Sequence, residues 1–126
     1  YIHRAKGYGV YDDSWEVVVL MDRGSASASE ILAGALQDHG IATLMGTTSF
    51  GKGSVQELID VTDTTALKVT IAQWLTPNGT QISGKGLKPD YEVAYTPEDR
   101  EAEADPQLDA AVQFLLDGTI PPAVEE

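Results

Sequence analysis

The sequence predicts one α/β domain built on a strand–helix–strand unit, followed by a β-hairpin and a C-terminal helix. Two apolar, β-branched runs, Val17–Met21 and Ile41–Met45, are typical of strands covered on both faces of a parallel sheet. Between them, apolar side chains recur at helical spacing. Because strand, helix and strand follow one another within about 30 residues, the default arrangement is a βαβ crossover.

The length and charge of the chain narrow the classes of function. A chain of 126 residues is expected to form a single domain, 1–126. Its net charge of −12 opposes binding to nucleic acid or to an anionic membrane surface. There is no cysteine, which excludes a disulfide framework and a thiolate nucleophile. His3 and His39 lack metal-ligand spacing, so neither a metal nor a cofactor is predicted.

The first helix is expected from about Ser27 to His39, with Gly40 as its C-terminal stop. Its apolar positions fall on one stripe, which we expect to be buried. The stripe contains Ala28, Ile31, Leu32, Ala35 and Leu36.

Two further apolar runs, Val55–Val61 and Ala66–Leu75, read as strands joined by a polar connector. They predict an antiparallel hairpin. In the second run, alternate residues Leu67, Val69 and Ile71 face one way. A short strand is also expected at residues 8–11, and an apolar patch at residues 91–95.

The C-terminal helix has clear end signals. Asp105 is the expected cap, Pro106 the first helical residue and Gly118 the stop. The acidic run that precedes it, residues 97–105, is interpreted as a solvated linker and helix start. The expected buried stripe contains Leu108, Ala111, Val112, Leu115 and Leu116.

A serine-rich turn, Gly24–Glu30, joins the first strand to the first helix. Ser27 and Glu30 have the S-x-x-E spacing of a capping box, in which the serine hydroxyl only caps the helix. Alternatively Ser27 is a nucleophile, because a hydroxyl at a helix start is accessible and the neighbouring N–H groups can stabilise a developing negative charge. Ser25 and Ser29 are rival nucleophiles. The residues alone leave these roles open.

Lys52, in a glycine-rich loop, is the best candidate for the base that such a serine needs. A solvated lysine without a catalytic role is the alternative. To act as a base, its pKa must fall from about 10.4 toward roughly 7–8 through burial, and Phe50 and Val55 are the expected walls. Gln56 would orient the amine without the charge of a carboxylate. His39 is predicted at the far end of the helix, so the pattern favours a Ser–Lys pair.

The same loop also fits the start of a phosphate-binding P-loop, because Gly46–Lys52 matches G-x-x-x-x-G-K. Gly53 stands where a Mg²⁺-ligating serine or threonine is needed, and Ser54 comes one place late. A strand is predicted where a P-loop would open a helix. The sequence therefore disfavours a nucleotide hydrolase.

Several short motifs, in order along the chain, carry a resemblance to a known family. They are G-S-A-S-A-S-E at 24–30, A-L-Q-D-H at 35–39, F-G-K-G-S-V-Q at 50–56, L-T-P-N-G at 75–79, G-K-G-L-K-P-D at 84–90 and D-P-Q-L at 105–108. Together they resemble the C-terminal processing peptidases, or tail-specific proteases, from about Glu16 to Leu116. Ordered agreement of several motifs is more specific than any one of them.

The resemblance implies a site and a fold. The family's nucleophile is the middle serine of its serine run, which is Ser27 here. The general base would be Lys52, and Gln56 would orient it. The backbone N–H of Ala28 would be one oxyanion donor. The family fold is similar to the crotonase and Clp-protease α/β arrangement, and this chain would be the C-terminal portion of such a catalytic domain.

The family also carries an upstream Asn-Pro-Gly-Gly type segment with a second oxyanion donor, and a PDZ domain. Neither is found in this sequence, so we expect a fragment that is weakly active or inactive alone and lacks upstream core strands. Family members are usually exported or membrane-anchored, and they cleave proteins near apolar C-terminal tails. The resemblance implies the same location and substrates for the parent protein.

Two functional hypotheses follow. The first is a serine endopeptidase in which Ser27 attacks and Lys52 transfers the proton. The second is a non-catalytic interaction module, which would self-associate through exposed sheet edges or bind peptides there.

Overall fold

The computed structural model describes residues 7, 9 and 11–122, so the strand expected at residues 8–11 lies largely outside the described part. The elements in chain order are β1 (Val18–Met21), α1 (Ala28–Asp38), β2 (Thr43–Gly46), β3 (Ser54–Thr62), β4 (Thr65–Gln73), β5 (Tyr91–Glu92), α2 (Pro97–Glu101) and α3 (Pro106–Asp117).

The predicted βαβ unit is confirmed. Strands β1 and β2 pair in parallel, from Val18 opposite Thr43 to Met21 opposite Gly46. Leu44 and Met45 of β2 are fully buried. This central strand is apolar and continuous because it is covered by neighbours on both edges and both faces.

A third strand, β5, extends the sheet to the order β1-β2-β5 and pairs in parallel with β2. It lies within the predicted apolar patch and is placed by Asp90. The Asp90 N–H donates to the Leu44 carbonyl at 2.9 Å, and its carboxylate accepts from the Leu44 N–H at 2.8 Å. Gln37 of α1 donates to the same carboxylate at 2.9 Å. Asp90 therefore connects α1, β2 and β5.

Helix α1 forms where expected, but the predicted buried stripe is wrong in part. The buried residues are Glu30, Ala33 and Gly34, whereas Leu32 is 62% exposed. A β-carbon on Gly34 would lie 2.8 Å from the Thr76 side chain, so the helix packs closely through its smallest residue. This close approach determines which face of α1 is buried, and larger apolar residues such as Leu32 lie outside that face.

The predicted hairpin is confirmed: β3 and β4 pair antiparallel, with Ile59 opposite Leu67. Its strands pack mainly on each other. The apolar face expected from alternation forms but is not covered, because Leu67 and Ile71 are both exposed. A two-stranded sheet without a covering layer is marginally stable in water.

The C-terminal helix α3 has the predicted ends. The Asp105 carboxylate accepts from the Leu108 N–H at 2.9 Å, and Gly118 closes the helix with φ 75°. Its predicted stripe is wrong, because only Ala111 is buried and Leu116 is 74% exposed. The helix meets the sheet through the neighbouring face, where the Phe114 and Tyr91 rings lie 5.7 Å apart. The exposed apolar residues of α3 are not covered by another part of the described chain. They are Leu108, Val112, Leu115 and Leu116.

Helix α2 was not predicted. Thr96 directly precedes the run that reads as an acidic linker, and its hydroxyl accepts from the Asp99 N–H at 3.2 Å. Asp99 returns the bond by accepting from the Thr96 N–H at 2.8 Å. A capping box with Pro97 at the first helical position is a start signal that the charge pattern obscured.

Gly46 is the last residue of β2, and we expect it to tolerate no side chain. Its φ is 122°, and an added β-carbon would collide with the Met21 carbonyl oxygen. We expect Gly46→Ala to lower the free energy of unfolding by ~3 kcal/mol or more in urea titrations.

Gly40→Ala is the matched control. Gly40 also has a positive φ, 65°, but nothing lies within 4 Å of an added β-carbon. Backbone strain alone should cost about 1–2 kcal/mol there. Equal losses for the two variants would contradict a steric role for Gly46.

Candidate active site

The turn after β1 is shaped by Asp22. Its carboxylate accepts from the Gly24 N–H at 2.9 Å, the Ser25 N–H at 3.1 Å and the Ser25 hydroxyl at 3.2 Å. The Ser29 hydroxyl donates to the Ala26 carbonyl at 2.7 Å. Both rival serines therefore use their hydroxyls to hold the turn.

Ser27 differs from these two serines. It is exposed, and its backbone has φ 59° and ψ −114°, a combination that residues other than glycine rarely adopt. The expected capping-box arrangement with Glu30 is present, and the Glu30 carboxylate accepts from the Ser27 N–H at 2.7 Å, but the Ser27 side chain makes no cap hydrogen bond of good geometry. The turn thus presents a serine hydroxyl at the start of a helix.

Ala28 is the first residue of α1. The N–H groups of a first helical turn have no acceptor inside the helix. The Ala28 N–H directly follows Ser27 and lies at the positive end of the helix dipole. N–H groups at a helix start can donate to a developing negative charge.

The loop that carries Lys52 docks onto this turn. The Phe50 N–H donates to the Ser25 carbonyl at 3.0 Å, and the Gly84 N–H donates to the Gly51 carbonyl at 2.9 Å. Gly51 has φ 90°, and an added β-carbon would lie 2.8 Å from the Gly86 nitrogen. The glycines of this loop therefore allow close backbone packing against residues 84–86.

Glu30 is the centre of the docked arrangement. It is 1% exposed, and its carboxylate accepts four hydrogen bonds. One oxygen accepts from the Ser49 hydroxyl at 2.5 Å and the Gly51 N–H at 2.6 Å. The other accepts from the Ser27 N–H at 2.7 Å and the Lys52 N–H at 2.9 Å.

These contacts determine the pKa of Glu30. Burial opposes ionisation, but the hydrogen bonds from Ser49, Gly51, Ser27 and Lys52 outweigh it and hold the pKa of Glu30 below its ordinary value. Among the described residues, hydrogen-bond donors therefore stabilise the buried charge. Each donor would be left unpaired if the carboxylate were removed.

The geometry brings the backbones of Ser27 and Lys52 together. Their backbone nitrogens lie 2.7 and 2.9 Å from one Glu30 oxygen, so they are no more than 5.6 Å apart. The expected burial of Lys52 is not found: the residue is exposed, and Phe50 is 65% exposed. Of the two residues expected to enclose the amine, only Val55 is half-buried. Within the described chain, the apolar surroundings of Lys52 are incomplete.

Gln56 lies in β3, opposite Thr70 and just after a register shift. It is exposed, and the structure describes no hydrogen bond from its side chain to Lys52. The loop leads into a strand, which also removes the P-loop interpretation, because that loop opens a helix.

Sequence reasoning assigned Glu30 to a capping box and gave no role to Ser49. The S-x-x-E spacing was the available signal for Glu30, but its bonds to residues 49–52 are tertiary. Ser49 is buried and accepts from the Leu87 N–H at 2.7 Å while it donates to Glu30. No local pattern indicates such a contact.

An exposed serine at a strand-to-helix turn, with a lysine held beside it, is an arrangement of the serine peptidase class. The family model described as peptidase family S41 matches residues 3–93. This match covers most of the chain, and the protein belongs to peptidase family S41.

Curated relatives agree. A carboxy-terminal-processing protease of Bartonella bacilliformis is 54% identical over 85 residues, which are 68% of this chain and 20% of that protein. The carboxy-terminal processing protease CtpB of Bacillus subtilis is 51% identical over 76 residues, which are 60% of this chain and 16% of that protein. The chain therefore spans about a fifth of the length of these relatives.

Solved structures show the same fold. The photosystem II D1 C-terminal processing protease matches with a TM-score of 0.62 and 38% identity, over 86% of this chain and 26% of that one. The tricorn protease matches with a TM-score of 0.69 and 25% identity, over 79% of this chain and 10% of that one. The predicted α/β class and the predicted family are confirmed.

The stability of the chain should depend on pH through Glu30. Because its folded-state pKa is lowered, ionised Glu30 stabilises the fold fully above the unfolded value of about 4.3, and this contribution is lost as the pH falls through the lower folded value. We expect Glu30→Gln to lower the free energy of unfolding by roughly 3 kcal/mol near pH 7, and by less at about pH 3.

Urea titrations of both proteins across this range measure the difference. The aspartates with lowered pKa values, among them Asp38 and Asp99, affect both proteins equally and cancel. A difference that stays constant from neutral to acid pH would contradict this role of the Glu30 charge.

Proposed function

We propose that this chain carries the catalytic Ser–Lys pair of a serine-type endopeptidase. Ser27 attacks the scissile carbonyl, Lys52 takes the hydroxyl proton and returns a proton to the leaving amine, and Gln56 orients Lys52. Water then hydrolyses the acyl-enzyme. The observation that carries the proposal is the shared Glu30 oxygen, which holds the backbones of Ser27 and Lys52 within 5.6 Å.

Two further features support Ser27 as the nucleophile. Its hydroxyl makes no cap hydrogen bond of good geometry, while those of Ser25 and Ser29 are engaged in the turn. Its unusual backbone conformation is of the kind that clusters at active sites. The Ala28 N–H would stabilise the oxyanion beside it.

The relatives' names support a proposal for the class of substrate. Because those proteins are called carboxy-terminal processing proteases, we propose that the parent protein cleaves protein chains near apolar C-terminal tails. We also propose that it works outside the cytoplasm, anchored or exported, as expected for the family. No helix within residues 11–122 has the length and apolar content of a membrane span.

We propose that residues 1–126 are the C-terminal portion of the catalytic domain, and that the chain alone is weakly active or inactive. The Ala28 N–H is the one oxyanion donor that we propose in this chain. The lack of a second donor costs ~3–4 kcal/mol of transition-state stabilisation. The exposure of Lys52 points the same way, since a lysine that serves as a general base needs apolar surroundings.

Labelling with a fluorophosphonate probe, followed by mass mapping, tests the pair. We expect the label on Ser27, at a rate that rises from about pH 6 to 10, because general-base catalysis needs the deprotonated form of the base. Ser27→Ala and Lys52→Ala should each abolish it. Gln56→Ala should slow it about tenfold or more, because the base loses its orientation.

Ser25→Ala and Ser29→Ala are the matched controls, since each removes one hydroxyl from the same turn. Both should still be labelled at Ser27. A label on either of these serines, or labelling of Ser27 that is unaffected by Lys52→Ala, would contradict the proposed pair.

A second candidate function, self-association, is favoured by the uncovered hairpin. Leu58, Leu67 and Ile71 are each more than half exposed, and neither outer edge of the β3–β4 pair is bonded to another named strand. Unpaired edges and apolar faces are templates for pairing with another chain. We propose that two copies of this chain associate through the hairpin.

Sedimentation velocity across a concentration series measures this association. Leu67→Gln should weaken it at least tenfold, because the side chain lies on the apolar face opposite Ile59. Leu116→Gln makes the same change on α3 and should leave it unaltered. A strict monomer at high concentration would exclude this candidate, and an effect of Leu116→Gln alone would move the interface to α3.

A further inference from the structure

We propose that Glu30 is a positioning residue for the Ser27–Lys52 pair, holding the nucleophile's turn and the base's loop at one fixed separation. This inference rests on the proposed function and deepens it. Glu30 touches neither substrate nor reacting atoms in this role. It acts through the backbones of the two residues that do.

The two carboxylate oxygens of Glu30 accept from different groups, and this difference supports the role. One oxygen accepts from both Ser27 and Lys52, at 2.7 and 2.9 Å. A single atom therefore fixes both backbones, and a shift of that atom changes the position of both. An error of about 1 Å in such a pair is enough to cost a large part of the rate.

The other oxygen holds the carboxylate itself in place. It accepts from the Ser49 hydroxyl and the Gly51 N–H. Ser49 is buried and also accepts from the Leu87 N–H at 2.7 Å, so the group is connected to the loop behind it. The carboxylate is thus fixed from the side away from the pair.

Only an ionised carboxylate satisfies all four donors. A carboxylate offers acceptor sites on both oxygens, whereas a glutamine amide offers one acceptor and places N–H₂ where the second oxygen was. In either orientation of the amide, two donors would face another donor. Because Glu30 is 1% exposed, water cannot readily replace the lost acceptor.

Helix capping alone does not explain this arrangement. A capping glutamate needs one bond, to the N–H of the cap residue, and Glu30 makes that bond to Ser27. Its other three bonds reach residues 49, 51 and 52. Three of the four bonds therefore serve the connection between the two parts of the site.

Asp38 in the same helix provides a comparison. Its carboxylate also connects α1 to a distant turn, accepting from the Asn78 N–H at 2.8 Å. It lies eight residues from Glu30, about 12 Å along the helix. Asp38→Asn removes a cross-link of the same type without touching the pair.

Amide titration by NMR tests the connection directly. In the unsubstituted chain, the amide protons of Ser27, Gly51 and Lys52 should shift together on acidification, with one common midpoint below about 4.3. Glu30→Gln should abolish the shared transition, and Asp38→Asn should preserve it. Separate midpoints, or no transition at all three amides, would overturn the inference.

Fluorophosphonate labelling of Ser27 tests the consequence for the reaction. Glu30→Gln should slow labelling at least a hundredfold. Ser49→Ala also removes a bond to Glu30 but leaves the oxygen shared by Ser27 and Lys52, so it should slow labelling less than tenfold. Asp38→Asn should change the rate less than threefold.

Thermal midpoints of the same variants separate positioning from general stability. If Glu30→Gln and Ser49→Ala slow labelling equally when their midpoints are equal, Glu30 is only structural and the inference is overturned. If the unsubstituted chain shows the shared amide transition but no labelling in any variant, the proposed function fails in this chain, and the amide result alone decides the positioning.

Discussion

The site depends on one buried charge. Glu30 lies in the first turn of α1 and accepts four hydrogen bonds that join the serine turn to the lysine loop. A carboxylate without a neighbouring cation is costly to bury, and here backbone and hydroxyl donors compensate. The same donors would be orphaned without it, so the fold of the loop and the charge of Glu30 depend on each other.

Around this centre, the structure relies on close backbone approach. Gly34 lets α1 approach Thr76, and Gly51 lets the lysine loop approach residues 84–86. Asp90 and Asp38 connect the same helix to β2 and to the turn at Asn78. Side-chain carboxylates that accept backbone N–H groups therefore recur as the device that joins distant segments.

The periphery is built differently. The hairpin and the outer face of α3 present apolar side chains without a covering layer in the described chain. The chain spans about a fifth of the length of its curated relatives. The exposure of Lys52 belongs to the same pattern, because a lysine base needs apolar walls that the described residues only begin to supply.

The sequence by itself determined the order and type of the main elements, the family and the candidate residues Ser27, Lys52 and Gln56. Those features depend on residues that are close in the sequence, namely runs of apolar residues, helix end signals and short motifs. Periodicity could not decide which face of α1 or α3 is buried, because that depends on what packs there. Only the tertiary structure showed that Glu30 connects residues 27 and 52, since its bonds to residues 49, 51 and 52 join segments distant in the chain. The bonds of the Ser25 and Ser29 hydroxyls are local, but which serine hydroxyls the turn engages depends on its three-dimensional backbone path.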